Sequence, residues 1–501
     1  MKKSSLTTAV LAGLAGVVGF AGSAGAVDIN PDGTGQALIY PYYTTRAGND
    51  TIISVVNSTD TGKAVKVRFL EGYNSREVRD FNLFLSPYDV WVATIFDLEA
   101  HGAGTGAGVD TKDKSCTVPN KSGWTADGAG GFYVGFSNQE FAGAKSDTGP
   151  TDMDRTREGY VELINMADVT GTTLAAITHK QVPGPNGDTP NAGAPTGCAA
   201  IPRFDDPTYV DPTGGLFGSG QIVNVAEGTL YPYNADAIDG FMTTKFFTES
   251  GSLLPSLASA DTSALSGPGT ARAFVFAGSS GVVQATYGAG SGQAVDAVSA
   301  VFAASALLNE WAADAAGGIG TDWVVTFPTK RFYVDPAYVT SALPPFVEVF
   351  GENNDGQSCT QVGLNKFDRE EGEPYSTPDD PFSPAPPGQP PSSLCHEVNV
   401  ISISAPSAPI SILGSTYGGL ALNTSNFGAN GWMRLDLNPA PGSEPHMMVP
   451  SQEGVVFGGL PATGFAATRY INANAQPGML ANYAGAFHHR VERDISTQTV
   501  P

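Results

Sequence analysis

The chain has 501 residues, 26 of them basic and 49 acidic, for a formal net charge of −23, and charged side chains make up only 15% of it against the ~25% of an ordinary soluble domain. A field of that sign repels phosphate backbones and anionic lipid, so nucleic acid and inner-leaflet partners are not expected, while cations are favoured. With 61 Gly, 36 Pro and 10% aromatics, the composition is that of many short strands joined by tight turns, in a chain long enough for two or three domains.

Residues 1–26 read as a cleavable Sec-type export signal. Lys2 and Lys3 form a basic start, Leu6 to Phe20 is uncharged and mostly apolar, and Ala24-Gly25-Ala26 supplies the small residues that a signal peptidase reads. Cleavage between Ala26 and Val27 is expected, which places the mature chain in the periplasm, at the cell surface or in the medium. Loss of Lys2 and Lys3 deepens the charge from −23 to −25.

The segment 27–115 reads as a β-sandwich. Lys63 to Leu70 puts Val65, Val67 and Phe69 on one face and Lys66 and Arg68 on the other, the period of two of a half-buried strand. Phe81, Leu83 and Leu85 repeat it, and Thr51 to Val56 and Val90 to Phe96 are β-branched or aromatic runs of similar length. Turn residues separate these runs, which suggests an immunoglobulin-like antiparallel β-sandwich.

The runs Gly35-Gln36-Ala37-Leu38-Ile39-Tyr40-Pro41-Tyr42-Tyr43 and Leu85-Ser86-Pro87-Tyr88-Asp89-Val90-Trp91 resemble a group of exported bacterial envelope or secreted proteins with no assigned activity. The resemblance covers about the first hundred residues. It implies export and a sandwich, and no catalytic residue.

The segment 116–345 is a region of strands and loops. Strands are expected at Gly131–Ser137, Tyr160–Met166, Leu174–His179, Gln221–Leu230 and Ala271–Ala277. Between Ala294 and Asp314 the polar residues Asp296, Ser299, Glu310 and Asp314 fall together at 100° per residue, so one buried Ala-rich helix is expected over 294–314. Trp323 to Phe327 then reads as a buried strand. The last segment, 346–501, is a β region with strands expected at Val398–Ser404, Trp432–Leu437, Gly464–Ile471 and Ala481–His488. It includes a Pro-rich acidic loop, 368–394, that has little to bury. The three mature segments could equally form one continuous domain.

Cys116, Cys198, Cys359 and Cys395 are an even set in a chain bound for an oxidising compartment. Of three possible pairings the sequential one closes the shortest loops, so Cys116–Cys198 and Cys359–Cys395 disulfides are expected. No Cys-x-x-Cys occurs, which argues against a thiolate metal site.

Other patterns resemble chemistry. Asp28-Ile29-Asn30-Pro31-Asp32-Gly33 matches the first half of a calcium loop, but position twelve is Ile39, where a bidentate carboxylate is needed, so an Asx-rich turn is the better reading. Asp147, Asp152, Asp154 and Glu158 crowd one predicted loop. Such carboxylates can hold a hard cation such as Ca2+ or act as acid and base, although in so acidic a chain a solvated loop is the commoner outcome. Leu460-Pro461-Ala462-Thr463-Gly464 spells a wall-sorting signal without the apolar stretch and basic tail that sorting requires. His488-His489 would lie on a strand, where neighbours point to opposite faces and cannot share one ion. The mature chain holds no Gly-x-Ser-x-Gly elbow and no His-Glu-x-x-His helix.

No catalytic or cofactor-binding residue is therefore named. The leading expectation is a non-enzymatic exported cell-envelope or secreted protein, acting in assembly, adhesion or ligand binding, with envelope components or its own copies as partners. One alternative is an exported hydrolase, possibly on carbohydrate, with Trp124, Tyr133 and the acidic loop as the place to look. The other is an outer-membrane β-barrel, for which few strands here are long enough.

Overall fold

A computed structural model describes residues 25–183, 190–260, 270–277, 281–288, 294–314, 318–351, 356–370, 392–404, 411–417, 420–423, 429–439, 446–472, 475–476, 479 and 481–498. Most of the expected export signal and of the expected Pro-rich loop, residues 1–24 and 371–391, lies outside this set.

The chain is mainly β, in antiparallel sheets with, among the described residues, one parallel strand pair, Val398–Ser404 with Leu420–Asn423. The first sheet has eight strands. At its centre Glu158–Val169 lies between Ala37–Thr44 and Gly62–Glu71, and Glu77–Leu85 and Cys116–Val118 follow on one side. A seven-stranded sheet is built outward from Asn49–Asn57, between Leu216–Asn224 and Val90–Asp97. The two share one core, in which Leu38, Tyr40, Val65, Val67, Phe69, Trp91 and Leu163 are buried. This is sandwich packing, and its alternation is what the sequence displays. Among the described residues no sheet closes on itself.

Two further sheets follow. Gly363–Asp368, Asn430–Asp436, Ala306–Ala312 and Arg490–Glu492 make a four-stranded one. Val398–Ser404, Gly320–Thr326, Thr463–Tyr470 and Tyr483–His488 make four strands of a five-stranded one, with Leu420–Asn423 at its edge. The buried cluster runs from Val27 to Ala467, so the segments 27–115, 116–345 and 346–501 all contribute to one core.

Several expectations need correction. The helix expected over 294–314 spans only Ala294–Phe302, and Ala306–Ala312 is a strand. That strand pairs with Asn430–Asp436 on one side and Arg490–Glu492 on the other. Distant ladder partners override the helical preference of an Ala- and Leu-rich run. Leu174–His179, expected as a strand, falls mostly in the helix Gly171–Ile177, whose Thr173 and Ile177 are buried one turn apart. Gln221–Leu230 is a hairpin of Leu216–Asn224 and Thr229–Asn234.

Lys66 and Arg68 do alternate with the apolar side chains, but they do not face water. They are 0% and 2% exposed, and the loop at 248–249 lies over Lys66. Lys66 Nζ donates to Glu249 O at 3.1 Å, and Asn82 Nδ2 to Thr248 O at 2.8 Å. Buried cations need paired anions, and each has one: Lys66 with Asp80, and Arg68 with Glu77 and Glu162.

The disulfides are Cys116–Cys198 and Cys359–Cys395, with sequence separations of 82 and 36. The second sits over a buried cation. Lys330 Nζ donates to Ser358 O at 2.6 Å and to His396 O at 3.3 Å, the residues flanking the two half-cystines.

Candidate functional site

The acidic loop is the place the sequence marks first, and its carboxylates are distributed rather than convergent. Asp147 is buried and meets Arg155, whose Nη1 donates to Oδ1 at 2.8 Å, and Asn74, whose Nδ2 donates to Oδ2 at 2.9 Å. Burial by itself would raise the Asp147 carboxyl, but Arg155, Asn74 and Arg76 hold it below the usual carboxylate range. Asp152 accepts from Asp154 N at 3.0 Å and caps the short helix Met153–Arg157. Asp154 is more than half exposed and pairs with Arg46 and Arg157.

Glu158 lies at 0% exposure, and Arg46 Nε, Ser415 Oγ and Thr416 Oγ1 donate to it at 2.7, 2.6 and 2.7 Å. It anchors the loop 411–417 on the first sheet. Guanidinium groups thus take the place that a cation would have, and among the described residues no cluster of three metal-ligating side chains forms. The loop expected to be solvated is therefore solvated only in part, since Asp147 and Glu158 are buried and paired while Asp154 stays exposed.

The remaining sequence patterns resolve into structure. In the Asp28–Gly33 turn, Asp32 N donates to Asn30 Oδ1 at 2.9 Å, and Asn30 Nδ2 donates to Thr34 O at 2.6 Å. This is an Asx turn. The run Leu460–Gly464 is split between two strands, with Leu460 and Ala462 buried, so it is not a free segment. His488 and His489 point apart: one donor–acceptor contact runs from His488 Nε2 to Asn234 O at 3.0 Å, the other from His489 Nε2 to Val324 O at 2.9 Å. Burial pushes the His489 imidazole down to about 3, which keeps it neutral. Trp124 and Tyr133 are half-buried and engaged in edge contacts with Phe81 and Phe96, at 5.2 and 5.8 Å between ring centroids.

A buried ionic cluster lies behind the second disulfide. Burial pushes Glu397 up to about 8, against the pull of Lys330 and the Ser75 hydroxyl, and pushes Lys330 down to about 8 against Glu397 and Glu348. His396 packs between Tyr73 and Tyr417, with centroids at 4.6 and 5.1 Å. Such shifts often mark active sites. Lys330 and Glu397 are buried and His396 half-buried, however, and none of the three lines a described cleft, so a structural role fits them.

The open site is elsewhere. A groove of about 970 Å³ lies between the four- and five-stranded sheets of the C-terminal half. The register of Thr463–Tyr470 with Tyr483–His488 sets Tyr470 opposite Tyr483, Thr468 opposite Gly485 and Ala466 opposite Phe487. Residues directly opposite share a face, so aromatic rings stand at both ends of a floor of small side chains. Tyr483 and Phe487, four residues apart on one strand, are about 13 Å from one another along it. The facing wall carries Trp432, whose ring stacks on Phe367 at 4.6 Å and 16°. Glu310 lies across the ladder from Trp432. The walls are tied together by Asn309 Nδ2, which donates to Phe487 O at 2.9 Å, and by Trp323 Nε1, which donates to Glu310 O at 3.1 Å.

Trp432, Tyr470, Tyr483 and Phe487 are 39%, 43%, 64% and 66% exposed. Four large aromatics left in water within one groove is the kind of grouping that marks a binding surface. Polar groups from Glu310, Asp368, Asn430 and Thr468 share the lining, and among the described residues no His, Cys, Ser or Lys does, so among them no nucleophile–base pair of the Ser–His or Cys–His kind lines the groove. Sequence reasoning did not find this groove. The signal was the alternation of Tyr483, Gly485 and Phe487 with Ala484 and Ala486, which leaves aromatics on one face of a strand whose other face is already apolar. Comparison with protein-family models, curated proteins and solved structures gave no match.

Proposed function

We propose that this chain is an exported, non-enzymatic binding protein that takes an elongated ligand in the groove between its two C-terminal sheets. The observation that carries the reading is the grouping of Trp432, Tyr470, Tyr483 and Phe487, exposed, on the rims of one open groove. Leaving such rings in water forgoes the stabilisation their burial would bring, of order 1.5–3 kcal/mol each, and binding recovers it. The two disulfides are compatible with an extracytoplasmic place of work. The stabilising role of the paired acidic loop, and a groove without a nucleophile–base pair, favour binding over turnover.

The test is sedimentation of the purified mature chain with intact cells and with isolated envelope material, beside a variant whose groove is filled. Gly485→Leu suits this purpose. A Cβ at Gly485 meets only Phe487 Cε2, at 3.8 Å, so the fold tolerates it while the rest of the side chain occupies the floor. The wild type is expected to pellet with the cells or envelope and Gly485→Leu, with an unchanged melting temperature, to stay in the supernatant. Equal pelleting of both, or of neither, overturns the reading.

A further inference from the structure

From the same groove we infer the ligand class: an uncharged oligosaccharide, lying along the strand Tyr483–His488 with its rings against the aromatic side chains. This rests on the binding reading above and narrows it. Three features of the lining point to a sugar chain.

The first is spacing. Tyr483 and Phe487 share one face with Gly485 between them, and Thr468 and Ala466 continue the floor on the neighbouring strand. A Cβ at Gly485 would find space, so nothing in the packing requires glycine there, and its absence of a side chain keeps the floor flat. Platforms about 13 Å apart on a flat floor suit a ligand with repeated flat apolar faces. One compact group would instead need converging rings, as in an aromatic cage.

The second is the mixture of chemistries. The C–H faces of a pyranose are apolar and its rim is a ring of hydroxyls. The rings of Tyr470, Tyr483, Phe487 and Trp432 meet the former, and the carboxylates and amides of Glu310, Asp368 and Asn430 accept from or donate to the latter. An acyl chain would take the exposed Glu310 carboxylate out of water and offer it no hydrogen bond in return.

The third is charge. Among the described residues Glu310, Asp314 and Asp368 line the groove against one cation, Arg369, on a chain of net charge −23. Polyuronates and other anionic polymers are repelled. A polycation would be attracted by the carboxylates, but it would gain nothing from rings so far apart.

The experiment presents hexasaccharides of neutral glucose, mannose, xylose and N-acetylglucosamine, together with a uronate hexamer and a fully deacetylated glucosamine hexamer. Binding is read by intrinsic tryptophan fluorescence, to which Trp311 and Trp432 in the lining contribute, and by isothermal calorimetry. The inference expects at least one neutral hexamer to bind, to shift the emission, and to lose about tenfold or more in affinity on Tyr483→Ala, whose side chain is two-thirds exposed. Gly485→Leu should abolish it, and both variants should melt with the wild type. Binding of the deacetylated or the uronate hexamer alone overturns the neutral class, and so does neutral binding that survives Gly485→Leu. If no hexamer binds while groove-dependent sedimentation with cells persists, the sugar inference falls and the binding reading stands. If both fail, both fall.

Discussion

Replacing Arg155 by Met would remove the guanidinium on which the acidic loop closes. Its Nε and Nη2 donate to Glu71 at 2.8 and 2.9 Å, its Nη1 to Asp147 at 2.8 Å and to Pro150 O at 3.0 Å, and its plane lies 4.8 and 4.4 Å from the rings of Tyr73 and Phe141. Met keeps much of the volume against the rings and strands two buried carboxylates. Breaking a buried pair from one side costs about 3–5 kcal/mol. Glu71 retains the N–H groups of Tyr73, Asn74 and Arg76, at 2.7, 3.1 and 2.8 Å, and Asp147 retains Asn74, which favours the lower end of that range. At ~2.1 cal/mol/K per residue over roughly 475 residues, a loss of ~3 kcal/mol lowers the melting temperature by about 3 °C. The pH dependence is more specific. The folded Asp147 carboxyl lies below its usual value of 3.8, so its contribution is present above that value and is lost as the pH falls through the folded pKa. In Arg155→Met this acid limb should flatten or reverse, because the unpaired carboxyl then favours its protonated form. Urea denaturation at a series of pH values from 7 to 3 measures both effects. A cost below about 1 kcal/mol at pH 7, with an unaltered acid limb, would refute this account of the loop.

Two further outcomes concern stability. Asp322 is fully buried, and burial pushes its carboxyl up from 3.8 to about 6, although Ser411 Oγ and Leu413 N donate to it. With a raised folded pKa, its contribution is whole below 3.8 and falls as the pH rises through about 6. Asp322→Asn should therefore gain on the wild type above pH 6, by up to about 3 kcal/mol at pH 8, and denaturation at pH 5 and pH 8 gives the difference. Paired Cys→Ser substitutions at Cys116 and Cys198 should destabilise more than those at Cys359 and Cys395. Loop separations of 82 and 36 differ by about 0.7 kcal/mol in the chain-entropy picture, and parallel denaturation of the two variants tests the ranking.

The strands of the first sheets were legible because their faces differ: Val65, Val67 and Phe69 against Lys66 and Arg68 is a pattern no helix produces. What lies over the second face was not, since the covering residues Thr248 and Glu249 come from about 180 positions away. The strand Ala306–Ala312 was hidden for a related reason. Its local sequence prefers helix, and the two strands that capture it begin more than 100 residues later. The partners of the acidic loop, by contrast, stood in plain view. Arg155 and Arg157 are interspersed among Asp152, Asp154 and Glu158, and reading the carboxylates without them made a solvated loop the expectation. The groove depends on a register, Tyr470 opposite Tyr483, that only the folded ladder displays.

The most direct test of the proposed function is hydroxyl-radical footprinting of the mature chain with and without its own cell-envelope fraction. Tyr88 and Phe204, 69% and 67% exposed at sites distant in sequence from the groove strands, serve as internal controls. The account predicts that oxidation of Trp432, Tyr470, Tyr483 and Phe487 falls together in the presence of the envelope while Tyr88 and Phe204 stay reactive. Protection centred on Tyr88 or Phe204, with the groove residues oxidised as before, would contradict it.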